Sequence, residues 1–91
     1  MTTTAVLRPS RHDVLTVVRE TVSIVCGVPL DSLAADTSLD DIGADSLARV
    51  EVAELVEQQL AARLPDLHIS DEDLAAFRVP SDVVDYVMAR L

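Results

Sequence analysis

Few side chains in this chain can serve as nucleophiles, bases or attachment points. Cys26 is the only cysteine, and His12 and His68 are the only histidines. The informative stretch is Asp36-Thr-Ser-Leu-Asp-Asp-Ile-Gly-Ala-Asp-Ser-Leu47. It reads as a loop that delivers Asp45 and Ser46 to the start of an acidic helix. Gly43 permits a tight backbone approach. Asp45 fits an N-cap, which puts Ser46 in the first turn, beside free N–H groups and the positive end of the helix dipole. An esterified phosphate on Ser46 would be stabilised there. A calcium loop is excluded by spacing: with Asp36 first, the glycine position holds Asp41, and with Gly43 in that position the closing acid is Arg49. A hydrolase centred on Ser46 is disfavoured, because Ala44-Asp45-Ser46-Leu47-Ala48 lacks both glycines of a nucleophile elbow.

The elements around this segment read as helices. Residues 1–9 form a polar, Thr-rich tail ending at Pro9, and the domain occupies residues 10–91. Ser10, with Asp13 three residues on, forms an approximate capping box. Val14, Leu15, Val18, Val22 and Val25 recur at helical spacing, with Val17 and Ile24 widening the stripe. The spacing predicts a first helix from about Arg11 to Cys26, stopped by Gly27 with Pro29 beyond. Cys26 is expected to be a small buried hydrophobe. Residues 27–45 make a long connection, and Leu30, Leu33, Leu39 and Ile42 are expected to pin it to the core. A loop this long in a small domain is usually functional. A second helix starts near Ser46, with Leu47, Val50, Leu55 and Leu60 on one side, Val52 and Val56 widening it, and Arg49, Glu51, Glu54, Glu57 and Gln58 on the other. Ser70 caps a short helix with Asp73 in support and Leu74 and Phe77 turned inward. A last helix follows Pro80 and Ser81, with Val83, Val84, Val87, Met88 and Leu91 as its stripe. No strand pattern appears. The expected fold is all-α, a four-helix bundle of three main helices and one short one.

Composition narrows the partners. The chain of 91 residues suits one domain, and 49% apolar residues suffice for a modest core. There are 16 acidic residues, seven arginines and no lysine. Residues 1–30 carry a net charge of +1 and residues 31–91 a net −10. This disfavours nucleic acid and anionic membrane as partners. A basic protein surface is the complementary partner. A single cysteine rules out an internal disulfide. There is no secretory h-region and no run near the ~18–20 apolar residues of a membrane span. The expected protein is a soluble, cytoplasmic monomer with no metal and no catalytic residue.

Leu39-Asp-Asp-Ile-Gly-Ala-Asp-Ser-Leu47 resembles the prosthetic-group site of acyl carrier proteins. Upstream, Gly27-Val28, Leu33, Asp36 and Thr37-Ser38-Leu39 resemble the family's first loop. Downstream, Val50-Glu51 and Leu55 resemble its second helix, Ile69-Ser-Asp-Glu-Asp73 its approach to helix three, and Val83-Val84-Asp85-Tyr86-Val87 its last helix. The likeness covers about residues 12–91, and the ordered set is specific where Asp-Ser-Leu alone is weak. It implies that a separate phosphopantetheinyl transferase moves 4′-phosphopantetheine from coenzyme A to the Ser46 hydroxyl, using its own magnesium ion. It further implies that the arm's thiol holds acyl groups as thioesters. Asp45, Leu47, Arg49, Glu51, Glu54 and Glu57 are then the residues expected to meet basic docking patches on partner enzymes. Those partners are an acyltransferase or acyl-activating ligase, and a ketosynthase or other biosynthetic enzyme. Val50, Leu55, Ile69 and Leu74 are candidates for lining a cargo groove, with plain core packing as the competing role of each.

The sequence departs from the fatty-acid form of the family at several positions. Ala48 and Arg49 replace an acidic and a small polar residue, Glu54 replaces an apolar one, and Leu60 to Ile69 is longer. The lack of flanking domains leads us to expect a discrete carrier, and the altered recognition helix favours polyketide or related specialised biosynthesis. Fatty-acid synthesis is the alternative. Aminoacyl or peptidyl carriers usually show Gly-Gly in the motif, where this chain has Gly43-Ala44. A non-catalytic helical adaptor also fits the acidity, but gives Ser46 no reason to be serine.

Overall fold

The computed structural model describes residues 9–90, and all regular elements among them are helical. Four α-helices occur: α1 (Arg11–Cys26), α2 (Ser46–Leu60), α3 (Asp71–Ala76) and α4 (Pro80–Met88). A single 3-10 turn, Leu30–Ser32, interrupts the long first loop, and the sequence pattern had not indicated it. The expected tail lies outside the described residues except for Pro9, which is buried and so belongs to the packed domain. Leu91, expected in the last stripe, also lies outside them.

The helix ends follow local chemistry. Ser10 accepts from Asp13 N at 3.0 Å, and the Asp13 carboxylate accepts from Ser10 N at 3.3 Å, which completes the capping box. Gly27 ends α1 at φ 68°, a left-handed value suited to glycine. Ser70 accepts from Asp73 N at 3.2 Å and starts α3. Pro80 is the first residue of α4 rather than a residue before it, since its missing N–H costs nothing there. The Asp82 carboxylate accepts from Arg78 N and Val79 N and closes that end.

Helix α1 packs against α2 and α4, and α2 packs against α3. Their shared core holds Val14, Val18 and Val22 of α1, Val52, Ala53, Val56 and Leu60 of α2, Leu74 of α3, and Val83, Val84 and Val87 of α4. The buried face of α2 is therefore rotated from the sequence-based expectation. Val50 and Leu55 are only half-buried, while Val52, Ala53, Val56 and Leu60 form the inward stripe at i, i+1, i+4, i+8. Leu47, expected also as a partner contact, is 69% exposed. Ile24, expected in the α1 stripe, is likewise 72% exposed. Cys26 is half-buried rather than enclosed, because it sits in the last turn of α1.

The loop between α1 and α2 is pinned rather than free. Leu33 and Leu39 are buried, while Leu30 is exposed. Arg19 reaches across from α1, donating to Leu33 O at 2.9 Å and Leu30 O at 3.0 Å. Leu39 N donates to Arg78 O, and Ser81 N donates to Ala35 O, both at 2.9 Å. The long segment after Leu60 extends the loop and not the helix. Leu64 and Leu67 fold it back onto the core.

Candidate functional site

The start of α2 is built by three consecutive residues of the loop. Gly43 takes φ 82°, which turns the chain so that Ala44 N donates to Leu39 O at 2.9 Å. Ala44 is buried and anchors the turn. Asp45 then caps the helix, its carboxylate accepting from Ala48 N at 2.9 Å. Ser46 is the first helical residue and is exposed. The N–H groups of Ser46 and Leu47 have no acceptor among the described residues. An exposed hydroxyl thus stands at the positive end of α2.

Ser46 opens onto a surface cleft of about 590 Å³ lined by Asp40, Ala44, Asp45, Ser46, Arg49, Val50, Asp71, Leu74 and Ala75. Behind it lies a narrow apolar cavity of about 20 Å³, walled by residues that include Val22, Val52, Ile69, Leu74 and Phe77. Val50 and Leu74 therefore meet at the cleft, and Ile69 and Leu74 at the cavity. Leu55, expected in the same groove, is half-buried and lines neither.

The residues expected at a docking surface separate into two groups. Asp45, Leu47, Glu51 and Glu54 are exposed. The last three recur at i, i+4, i+7 and so form one stripe running from Ser46. Arg49 and Glu57 are turned to internal use. The Arg49 side chain is only 16% exposed. It donates from Nε to Ala44 O at 2.9 Å, from Nη1 to Phe77 O at 2.7 Å, and from Nη2 to the Asp40 carboxylate at 2.7 Å. Its expected outward role is corrected: its reach is long enough to satisfy two carbonyls that the loop leaves without backbone partners. Glu57 accepts from Ile69 N at 2.7 Å and lies 3.7 Å from His68. It holds the end of the long loop, and His68 itself stays exposed.

Cys26 lies in the field of the same acids. Its thiol is pushed above the ordinary cysteine range, first by burial and then by the charges of Asp45 and Glu51. No group of His, Cys, Asp or Glu among the described residues could hold a metal ion. No helix among them is long and apolar enough to cross a membrane.

The site is thus a capped helix presenting one exposed serine over a cleft. Comparisons with known proteins assign the chain to a family. The family model described as "Phosphopantetheine attachment site" matches residues 16–87. An acyl carrier protein of Kineococcus radiotolerans is 33% identical over 79 residues, covering 86% of this chain and 91% of its own. One from Acidothermus cellulolyticus is 30% identical over 79 residues, covering 86% and 88%. A meromycolate extension acyl carrier protein of Mycolicibacterium aurum is 32% identical over 79 residues, covering 86% and 76%. The chain belongs to the acyl carrier protein family, with a covalently bound 4′-phosphopantetheine arm as its cofactor. Members work through a phosphopantetheinyl transferase and biosynthetic enzymes.

Proposed function

We infer that Ser46 is the attachment residue and that the chain delivers acyl groups in polyketide or related specialised biosynthesis. The observation that carries the attachment is the exposed Ser46 hydroxyl at the capped start of α2, above its own cleft. The residues present fit a phosphate ester there. Two N–H groups stand free beside the hydroxyl, and the helix dipole favours negative charge. The arm, when bound, supplies a terminal thiol that holds an acyl group as a thioester. Asp45 keeps the helix start formed, so Ser46 holds one orientation. Gly43 and Ala44 fix the approach of the loop. No side chain among the described residues is hydrogen-bonded to the Ser46 hydroxyl, so its deprotonation falls to the phosphopantetheinyl transferase.

Leu47, Glu51 and Glu54 then present one apolar contact and two charges to basic patches on an acyltransferase or acyl-activating ligase and on a ketosynthase. Exposed ion pairs contribute only ~0–1 kcal/mol each. A carrier that visits several enzymes in turn benefits from such weak contacts. The departure of Ala48 and Arg49 from the fatty-acid pattern supports specialised biosynthesis. The alternative is fatty-acid synthesis; the name of the Mycolicibacterium aurum relative states meromycolate extension for that protein.

Incubation with coenzyme A and a broad-specificity phosphopantetheinyl transferase, read by intact mass, tests the attachment. One phosphopantetheine is gained by the wild type and none by Ser46→Ala. Gain by the mutant would move the site elsewhere. No gain by either, with an active transferase and an unmodified starting mass, would favour a helical adaptor.

A further inference from the structure

The cleft beside Ser46 and the apolar cavity behind it share three wall residues: Ala44, Arg49 and Leu74. Any group passing from the cleft to the interior must displace part of that wall. Ala44 is tied by its backbone to Leu39, and Leu74 is buried in α3. Arg49 is the long side chain of the three. Its guanidinium bonds at once to the loop, through Asp40 and Ala44, and to the end of α3, through Phe77. Swinging it out would orphan two carbonyls. The cavity is also small. At about 20 Å³ it has room for one water, so an acyl chain would have to part the walls that Arg49 ties together.

The cleft has a different chemistry. Three of the five Arg49 N–H groups are bonded, and the other two have no partner among the described residues. Asp40, Asp45 and Asp71 line the same cleft. A carboxylate on the cargo would meet three like charges, whereas a neutral carbonyl or hydroxyl oxygen would accept from Arg49 without that repulsion.

We propose that Arg49 determines cargo choice, closing the passage from the Ser46 cleft to the interior and offering donors to an oxygen in the cleft. This carrier thus favours uncharged acyl groups with a carbonyl or hydroxyl oxygen near the thioester over plain aliphatic chains. The assignment rests on Ser46 as the attachment residue.

The test loads wild type and Arg49→Met with octanoyl and with 3-oxo-octanoyl phosphopantetheine. Thioester cleavage by hydroxylamine is compared with that of the free pantetheine thioester. Enclosing even one methylene corresponds to about fourfold in the balance between exposed and enclosed cargo. Wild-type octanoyl thioester is expected to be cleaved at the free rate, and Arg49→Met is expected to slow it by about fourfold or more. The Arg49 Nε–H resonance of the wild type should move with 3-oxo-octanoyl cargo and stay in place with octanoyl. Protection of octanoyl by the wild type, a folded Arg49→Met that leaves cleavage unchanged, or an Arg49 resonance indifferent to both cargoes would each overturn the assignment. If Arg49→Met does not fold, the two wild-type measurements decide. Failure to load at Ser46 overturns the attachment reading and this one with it, whereas loading followed by octanoyl protection overturns only the role of Arg49.

Discussion

Replacing Asp45 with alanine removes the side-chain acceptor that Ala48 N–H uses at 2.9 Å. No other side chain caps this end of α2, and Asp45 is exposed, so water can reach the freed N–H. Loss of an N-cap acid to alanine costs about 1 kcal/mol. In a domain of this size each kcal/mol moves Tm by about 4–8 °C. Asp45→Ala is therefore expected to lower Tm by about 4–8 °C. Asp45→Asn keeps the acceptor and loses only the charge at the helix start, so its cost is about 0.5 kcal/mol or less. Thermal unfolding followed by far-UV circular dichroism at neutral pH measures both. If docking uses the Asp45 charge, both variants weaken a basic partner equally, although only one is destabilised. The reasoning is refuted if Asp45→Ala melts with the wild type, or if Asp45→Asn falls as far as the alanine variant.

Glu57 should behave as a structural residue. Glu57→Ala leaves Ile69 N–H without its 2.7 Å acceptor and should cost about 1–3 kcal/mol in urea unfolding, whereas Glu57→Gln keeps an acceptor and stays close to wild type. The exposed Glu51→Gln, by contrast, should change stability by about 0.5 kcal/mol or less. Cys26 should react slowly with iodoacetamide at neutral pH, because burial, then Asp45 and Glu51, keep its thiol protonated above the ordinary range. Since the folded pKa is raised, the associated stability is complete below the unfolded thiol's pKa and is lost as pH rises through the folded one. Glu51→Gln should lower the pH at which alkylation accelerates, and no change would remove that charge from the account.

The helix ends were legible because each is written in a few adjacent residues. Ser10 with Asp13, Gly27, Asp45 and Ser70 carry caps that need no tertiary context. The inward face of α2 was not legible. Leu47, Val50, Val52, Leu55, Val56 and Leu60 surround much of the helix, so periodicity alone could not choose between Leu55 and Val52. The choice depends on where α1 and α3 pack. Arg49 was misread for a related reason. A charged residue on a helix reads as solvated, and the carbonyls it satisfies, Ala44 O and Phe77 O, come from segments that only the fold brings together. Its one local signal was Asp40, nine residues earlier in the loop that precedes α2. Ser46 itself was visible in the ordered motif around it, and the structure adds the exposed hydroxyl and the cleft.

A molecule that carries an activated ester must not react with its own load. The cleft beside Ser46 is walled by carboxylates, apolar side chains and one guanidinium. The chain has no lysine, so no side-chain amine is available to capture the acyl group as an amide. Burial first, and then the charges of Asp45 and Glu51, hold its single thiol toward the protonated, less reactive form. The composition and packing of the site thus limit the side chains that could react with what the carrier holds.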